Sequence, residues 1–177
     1  MQEFISFFGV EFKNLRLAKK LSQWDIALKI PYHIRNIQRI EQGVSQPGIT
    51  LAFKLIQALN AQPGEFLSEL AIKHKAIFPS SISPLNQINI SYFFPDTQKI
   101  PKSLFGPLLL QARVASCVSQ TAMAKAAGYN LRNINAVEKG KQEPGIITAL
   151  SLVLATGVDV REFFNTLYFW WVEHNPK

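Results

Sequence analysis

The sequence predicts an all-α protein built from two copies of one five-helix module. Three observations predict it. Residues 8–70 and 105–167 align without a gap at a constant offset of 97, which marks two copies of one folded unit. Within each copy apolar residues recur at spacings of three and four, the period of a half-buried helix. The periodic runs are punctuated by helix-capping and helix-stopping residues, namely Ser22, Pro31, Gly43, Pro47-Gly48 and Pro63 in the first copy.

Within the first copy, Val10 to Lys20 reads as an amphipathic helix with Phe12 and Leu15 inward and Lys13, Lys19 and Lys20 outward. Ser22 is the N-cap of a second helix, Gln23 to Ile30, whose Ile26 and Ile30 share a face with the small Ala27. Pro31-Tyr32 breaks that helix. A third runs from Ile34 to Gln42, with Ile37 and Ile40 inward, and stops at Gly43. Thr50 to Asn60 gives a fourth (Leu51, Phe53, Leu55, Ile56, Leu59) and Pro63 to Leu70 a fifth. The second copy repeats the plan as Pro107–Cys117, Ser119–Ala127, Leu131–Lys139, Ile147–Thr156 and Val160 onward, with Asn130 capping its third helix. Cys117, the one cysteine, reads as core packing and excludes an intramolecular disulfide or a cysteine zinc cluster.

Beyond Val160, Phe163, Leu167 and Trp170 or Trp171 fall on one stripe. Two readings stand: a core stripe that closes the second module, or a homodimerisation face, since so many aromatics are costly to expose. The domains are therefore 1–70 and 105–177, joined by a linker over 71–104. That linker carries Pro79, Pro84, Pro95 and Pro101, with Ser80, Ser81 and Ser83. Inside it Gln87 to Phe94 alternates through Ile88, Ile90 and Tyr92, which predicts a short β-strand that pairs with its own copy or lies along a module.

Hydrophobic content of 47% with 18% charge can fill two small cores. The formal net charge of +7 favours a polyanionic partner. No segment is a polybasic tail: residues 1–70 hold 8 basic and 6 acidic side chains, and residues 105–177 hold 7 and 5. Anion binding must then come from where the charges sit. The N-terminus lacks a basic signal-peptide region and no run of 18 apolar residues occurs, so the expectation is a soluble cytoplasmic protein with no membrane partner.

The order Ser-Gln, Ala, Arg-Asn-Ile, Glu, Gly and then Pro occurs at Ser22-Gln23, Ala27, Arg35-Asn36-Ile37, Glu41, Gly43 and Pro47. It recurs at Ser119-Gln120, Ala124, Arg132-Asn133-Ile134, Glu138, Gly140 and Pro144. This pattern resembles the Cro/repressor-type (XRE) helix-turn-helix family of DNA-binding proteins. The resemblance implies two lambda-repressor-like domains, each with a third helix that enters the major groove and a second helix whose start meets the phosphate backbone. It places Gln23 at a phosphate or base edge, His33, Ile34, Arg35 and Arg39 at base-reading positions, and Asn36 at a phosphate. In the second copy it places Asn130, Leu131, Arg132 and Ala136 at base-reading positions, Asn133 and Gln120 on the backbone side, and Lys139 and Lys141 where the loop approaches phosphates. Arg suits guanine, an amide suits adenine and an apolar side chain suits the thymine methyl. The exposed third-helix face of Ile34, Arg35, Gln38, Arg39 and Gln42 holds no carboxylate. The plain alternative is that these polar residues are a solvated helix face. Arg16 with Glu41, and Arg113 with Glu138, match the family's internal ion pair and are assigned to the fold.

Each copy departs from the pattern. Pro31 replaces the usual turn glycine and demands another turn geometry, which tilts the third helix. His33 is a weaker N-cap than Ser or Thr. In the second copy Leu131 and Ala136 offer fewer hydrogen bonds to bases. Leu108 and Leu110 stand where the first copy has Glu11 and Lys13, an outward apolar face suited to protein contact. The first module is therefore the expected better reader.

The function implied is a sequence-specific, double-stranded-DNA-binding transcriptional regulator, with repression the favoured sign. Two modules on one chain would imitate the dimer that single-module relatives form, and a linker of 34 residues easily spans half-sites one helical turn apart. The rival reading is a protein-interaction module, such as an antitoxin or co-regulator. Enzymatic activity is not expected. His33, His74 and His174 lack metal-ligand spacing, no phosphate-cradling glycine loop occurs, and no cofactor or small-molecule ligand is implied.

Overall fold

The computed structural model describes residues 2–74 and 104–174. The expected strand at 87–94 lies outside them. The described residues are all-α, with helices α1 (Gln2–Ala18), α2 (Gln23–Lys29), α3 (Ile34–Glu41), α4 (Ile49–Ala58) and α5 (Pro63–Lys73) in the first module. The second module contributes α6 (Phe105–Ala115), α7 (Gln120–Ala127), α8 (Leu131–Glu138), α9 (Ile146–Thr156) and α10 (Val160–His174).

Local signals fix these boundaries. Ser22 accepts from the Asp25 backbone N–H while Asp25 accepts from the Ser22 N–H, a reciprocal capping box at α2. Ser119 caps α7 through the Ala122 N–H. Cys117 and its counterpart Lys20 take left-handed backbone (φ 54° and 55°) just past the ends of α6 and α1. Cys117 is exposed there rather than packed in the core. Helix α1 starts eight residues earlier than its periodicity from Val10 suggests, and within the added stretch Phe8 stacks on Phe12 and meets Phe66 of α5 edge-on at 5.5 Å.

Glycine sets the depth at which the third helix of each module seats. A Cβ on Gly9 would collide with the Ile40 carbonyl, and one on Gly106 would collide with the carbonyl of Val137. In each module, then, the first helix lies directly on the backbone of the third. Buried Phe8, Phe12, Ile26, Ile37 and Ile40 fill the space around that contact in the first module. The turn before α3 departs from its counterpart, as Pro31 led us to expect: α2 closes one residue earlier, on Ile30 at φ −116°, where α7 runs on to a left-handed Gly128. Pro31 sits at φ 22°, positive like Gly128 at 61°. The Tyr32 N–H still donates to the Ala27 carbonyl, at 3.3 Å against 2.9 Å for Tyr129 and Ala124. A proline ring prefers φ near about −65°, so this altered turn is held under strain.

The two modules share one continuous core. Helix α5 packs along α10, its own counterpart. Gly48 forms an antiparallel bridge with Gly145, again its counterpart, and the Ile146 N–H donates to the Pro47 carbonyl at 3.0 Å. Gly64 N–H donates to Asn165 Oδ1 at 3.1 Å, and the Arg161 carbonyl leaves no room for a Cβ on Gly64. Gly48 and Gly145 are the N-caps of α4 and α9, and neither helix has a side-chain cap of its own. The opposite module satisfies them: Glu143 Oε1 accepts from the Thr50 N–H at 3.3 Å, as Pro47 does from Ile146.

The aromatic stripe divides between the two cores. Phe163 meets Phe105 of its own module at 5.8 Å, whereas Phe164, Tyr168 and Trp171 surround Phe53 of the other. The stripe thus closes the junction, not the second module alone. Leu108 is buried, one turn from buried Leu104, so the expected outward Leu108/Leu110 face reduces to a partly exposed Leu110.

Helix propensity says Gly9→Ala should stabilise α1 by roughly 1 kcal/mol. The collision with Ile40 reverses the sign. Urea unfolding of Gly9→Ala and of Gly106→Ala should each show a loss of about 1–3 kcal/mol.

Candidate nucleic-acid interface

The third helix of each module, α3 and α8, is held from beneath by an Arg–Glu ion pair, buried in the first module and partly buried in the second. Arg16 Nε and Nη2 donate to Glu41 Oε1 and Oε2 at 2.6 and 2.9 Å, while Nη1 donates to the Leu21 carbonyl at 2.7 Å. Arg113 repeats all three bonds with Glu138 (2.6 and 3.1 Å) and the Val118 carbonyl (2.9 Å). Arg16 and Glu41 are only 5% and 6% exposed. One guanidinium therefore ties α1, the loop into α2 and the end of α3 together by a planar bidentate geometry.

Gln23 belongs to the same network. Its Nε2 donates to Glu41 Oε2 at 2.7 Å, and Gln120 donates to Glu138 at the same distance. Each amide is oriented with one N–H committed inward and one left over. That leftover donor at the start of α2 or α7 suits a phosphate oxygen. Ser22 donates from backbone and hydroxyl to Asp25, which holds that exposed carboxyl below the ordinary carboxylate range. Its capping contribution is present above the unfolded value and is lost as acid protonates it.

The outer face of α3 carries Arg35, Asn36, Gln38 and Arg39, all exposed, with Ile34 half-buried between them. His33 caps α3 by accepting the Arg35 N–H on Nδ1 at 3.3 Å, a longer contact than the Asn130 Oδ1 cap at 2.9 Å. Each capping side chain uses one atom locally and keeps Nε2 or the amide nitrogen for a second partner. In the second module Leu131 (44% exposed), Arg132, Lys139 and Lys141 are exposed, and Asn133 and Ala136 are half-buried. Lys139 and Lys141 flank Gly140, whose φ of 64° matches Gly43 at 69°. Neither α3 nor α8 shows a carboxylate on this face, because Glu41 and Glu138 point inward. Arg35, Arg39, Arg132, Lys139 and Lys141 form no ion pair with any described residue. In contrast, Lys19 and Lys29 donate to the Asn60 and Ala58 carbonyls, and Lys73 donates to Glu11, which raises its pKa.

Glu143 is a residue the sequence reading missed. Its carboxylate sits two residues from Lys141, yet it is engaged by the first module at Thr50. The available signal was negative: Gly at both the α4 and α9 caps leaves those helix ends to be closed from elsewhere.

The family model described as helix-turn-helix, the XRE type, matches residues 12–66, from within α1 into α5. That family comprises DNA-binding regulators. The match covers the first module, and the second is tied to it by the internal repeat and by the same Arg–Glu–Gln network. No curated protein and no solved structure matches the chain. No described helix is long and apolar enough to cross a membrane.

Arg16→Met would leave Glu41 buried without its cation, and urea unfolding should show a loss of about 3–5 kcal/mol. Adding Glu41→Leu to that variant should recover most of the loss, since an apolar pair removes the stranded charge.

Proposed function

We propose that this protein is a sequence-specific DNA-binding transcriptional regulator of the cytoplasm that acts as a repressor, with one chain doing the work of a dimer. The observation that carries this reading is the pair of exposed, carboxylate-free faces on α3 and α8, each seated on an Arg–Glu pair whose glutamate is buried. Arg35 and Arg39 donate to guanine, while Asn36, Gln23 and the leftover amide donors meet phosphates. Arg132, Asn130, Leu131 and Ala136 read the other site with fewer donors, and Asn133, Gln120, Lys139 and Lys141 hold its backbone. Occupying a promoter needs no further surface, which favours repression. The protein-interaction reading loses its main support, because Leu108 is buried and most of the aromatic stripe lies inside the chain.

Fluorescence-anisotropy titrations against a duplex enriched from a random library test this. Affinity should fall steeply between low and moderate salt, and Arg35→Ala or Arg39→Ala should each cost about 1–3 kcal/mol. Equal affinity for the selected and a scrambled duplex would overturn the reading.

A further inference from the structure

Along the chain the two copies are a direct repeat, but in space they are inverted. Gly48 bridges Gly145, and Gly64 faces the Arg161 backbone. In both pairs the partners stand 97 positions apart, so each residue touches its own counterpart. A residue in contact with its own counterpart lies beside a two-fold axis, whereas head-to-tail stacking would set it against a different residue. Two such points fix the axis. Rotation about it carries α3 onto α8, so the two reading helices stand at the same height along it.

We propose that the DNA bound by one chain is a pair of inverted half-sites of unequal sequence, read in one fixed orientation. This rests on the DNA-binding reading above. Inversion follows because a two-fold pair of reading helices matches the dyad of a duplex, whose strands are antiparallel. Inequality follows from the side chains. Arg35 and Arg132 are counterparts, as are Asn36 and Asn133, so both half-sites share one guanine and one phosphate contact. The next reading position differs: Arg39 is exposed and can grip a second guanine bidentately, whereas its counterpart Ala136 is half-buried and offers only a methyl. Ile34 against Leu131 and His33 against Asn130 widen the difference. At the helix end the bias reverses, with Lys139 and Lys141 standing where the first module has Gln42 and Val44. The first module supplies the richer base readout and the second supplies more charge for the backbone. Two identical subunits cannot divide labour this way. The single chain can, and the division points it one way along the duplex.

Selection of bound duplexes from a random library, with the full chain and with Arg39→Ala, tests the inference. The expected motif is two inverted, non-identical half-sites occupied by one chain. Arg39→Ala should erase one guanine preference in one half-site only, making the motif more symmetric, and weaken binding to the original duplex by roughly 5- to 150-fold. Because Arg39 is exposed and has no ion-pair partner among the described residues, its removal should leave the thermal unfolding midpoint unchanged. Lys139→Ala with Lys141→Ala should leave the motif intact and reduce the slope of affinity against salt. A motif of direct repeats, of one half-site, or of two equal half-sites would overturn the inference while leaving specific DNA binding in place. A library with no enriched sequence would remove the DNA-binding reading itself.

Discussion

A residue packed against its own counterpart leaves little freedom in how two modules can sit. Gly48 against Gly145 and Gly64 against Arg161 impose that constraint at two points, and the second approach depends on a missing Cβ at Gly64. The rest of the arrangement follows from it. Phe53 is enclosed by aromatic rings of α10, and α4 and α9 begin with donors satisfied by the opposite module. A helix N-terminus without a side-chain cap is unfavourable alone, so each module completes the other.

Inside each module a second constraint sets the third helix. The α1 backbone rests on the α3 backbone at Gly9, and the α6 backbone on α8 at Gly106. A buried arginine then fixes the azimuth by gripping a glutamate from below. Such pairs contribute little net stability compared with an apolar replacement of the same volume. What they add is geometric: the glutamate is drawn inward, removing a negative charge from the outer face, and it aims the Gln23 or Gln120 amide at the start of the next helix. The basic outer face and the ion pair are thus two consequences of one side-chain placement.

Most of this was legible where the information is local. The caps at Ser22, Ser119 and Asn130 and the inward Ile37 and Ile40 follow from spacing, composition or the repeat, and the Arg16–Glu41 pair from the resemblance to the helix-turn-helix family. What was not legible depends on a neighbour that periodicity cannot see. Leu108 sits at a position that is partly exposed in the first copy but is buried in the second. Cys117 falls one residue beyond the helix C-cap, where the chain turns left-handed and outward. The aromatic tail has the right period for a core stripe, but which core it serves depends on how α10 crosses α5. Above all, an ungapped direct repeat says nothing about whether its copies are translated or rotated relative to one another.

The central claim is that rotation, and one measurement reaches it directly. In an antiparallel bridge of this type the two Cα atoms lie about 4.5 Å apart, bringing their hydrogens close. Nuclear Overhauser spectroscopy on the full chain, at a concentration where it is monomeric, should show a strong cross-peak between the Hα protons of Gly48 and Gly145. It should appear alongside the module-internal contacts of Phe8 with Phe66 and Phe105 with Phe163. Those internal contacts without any Gly48–Gly145 cross-peak would mean two folded modules that do not meet about a two-fold, and the account would be wrong at its root.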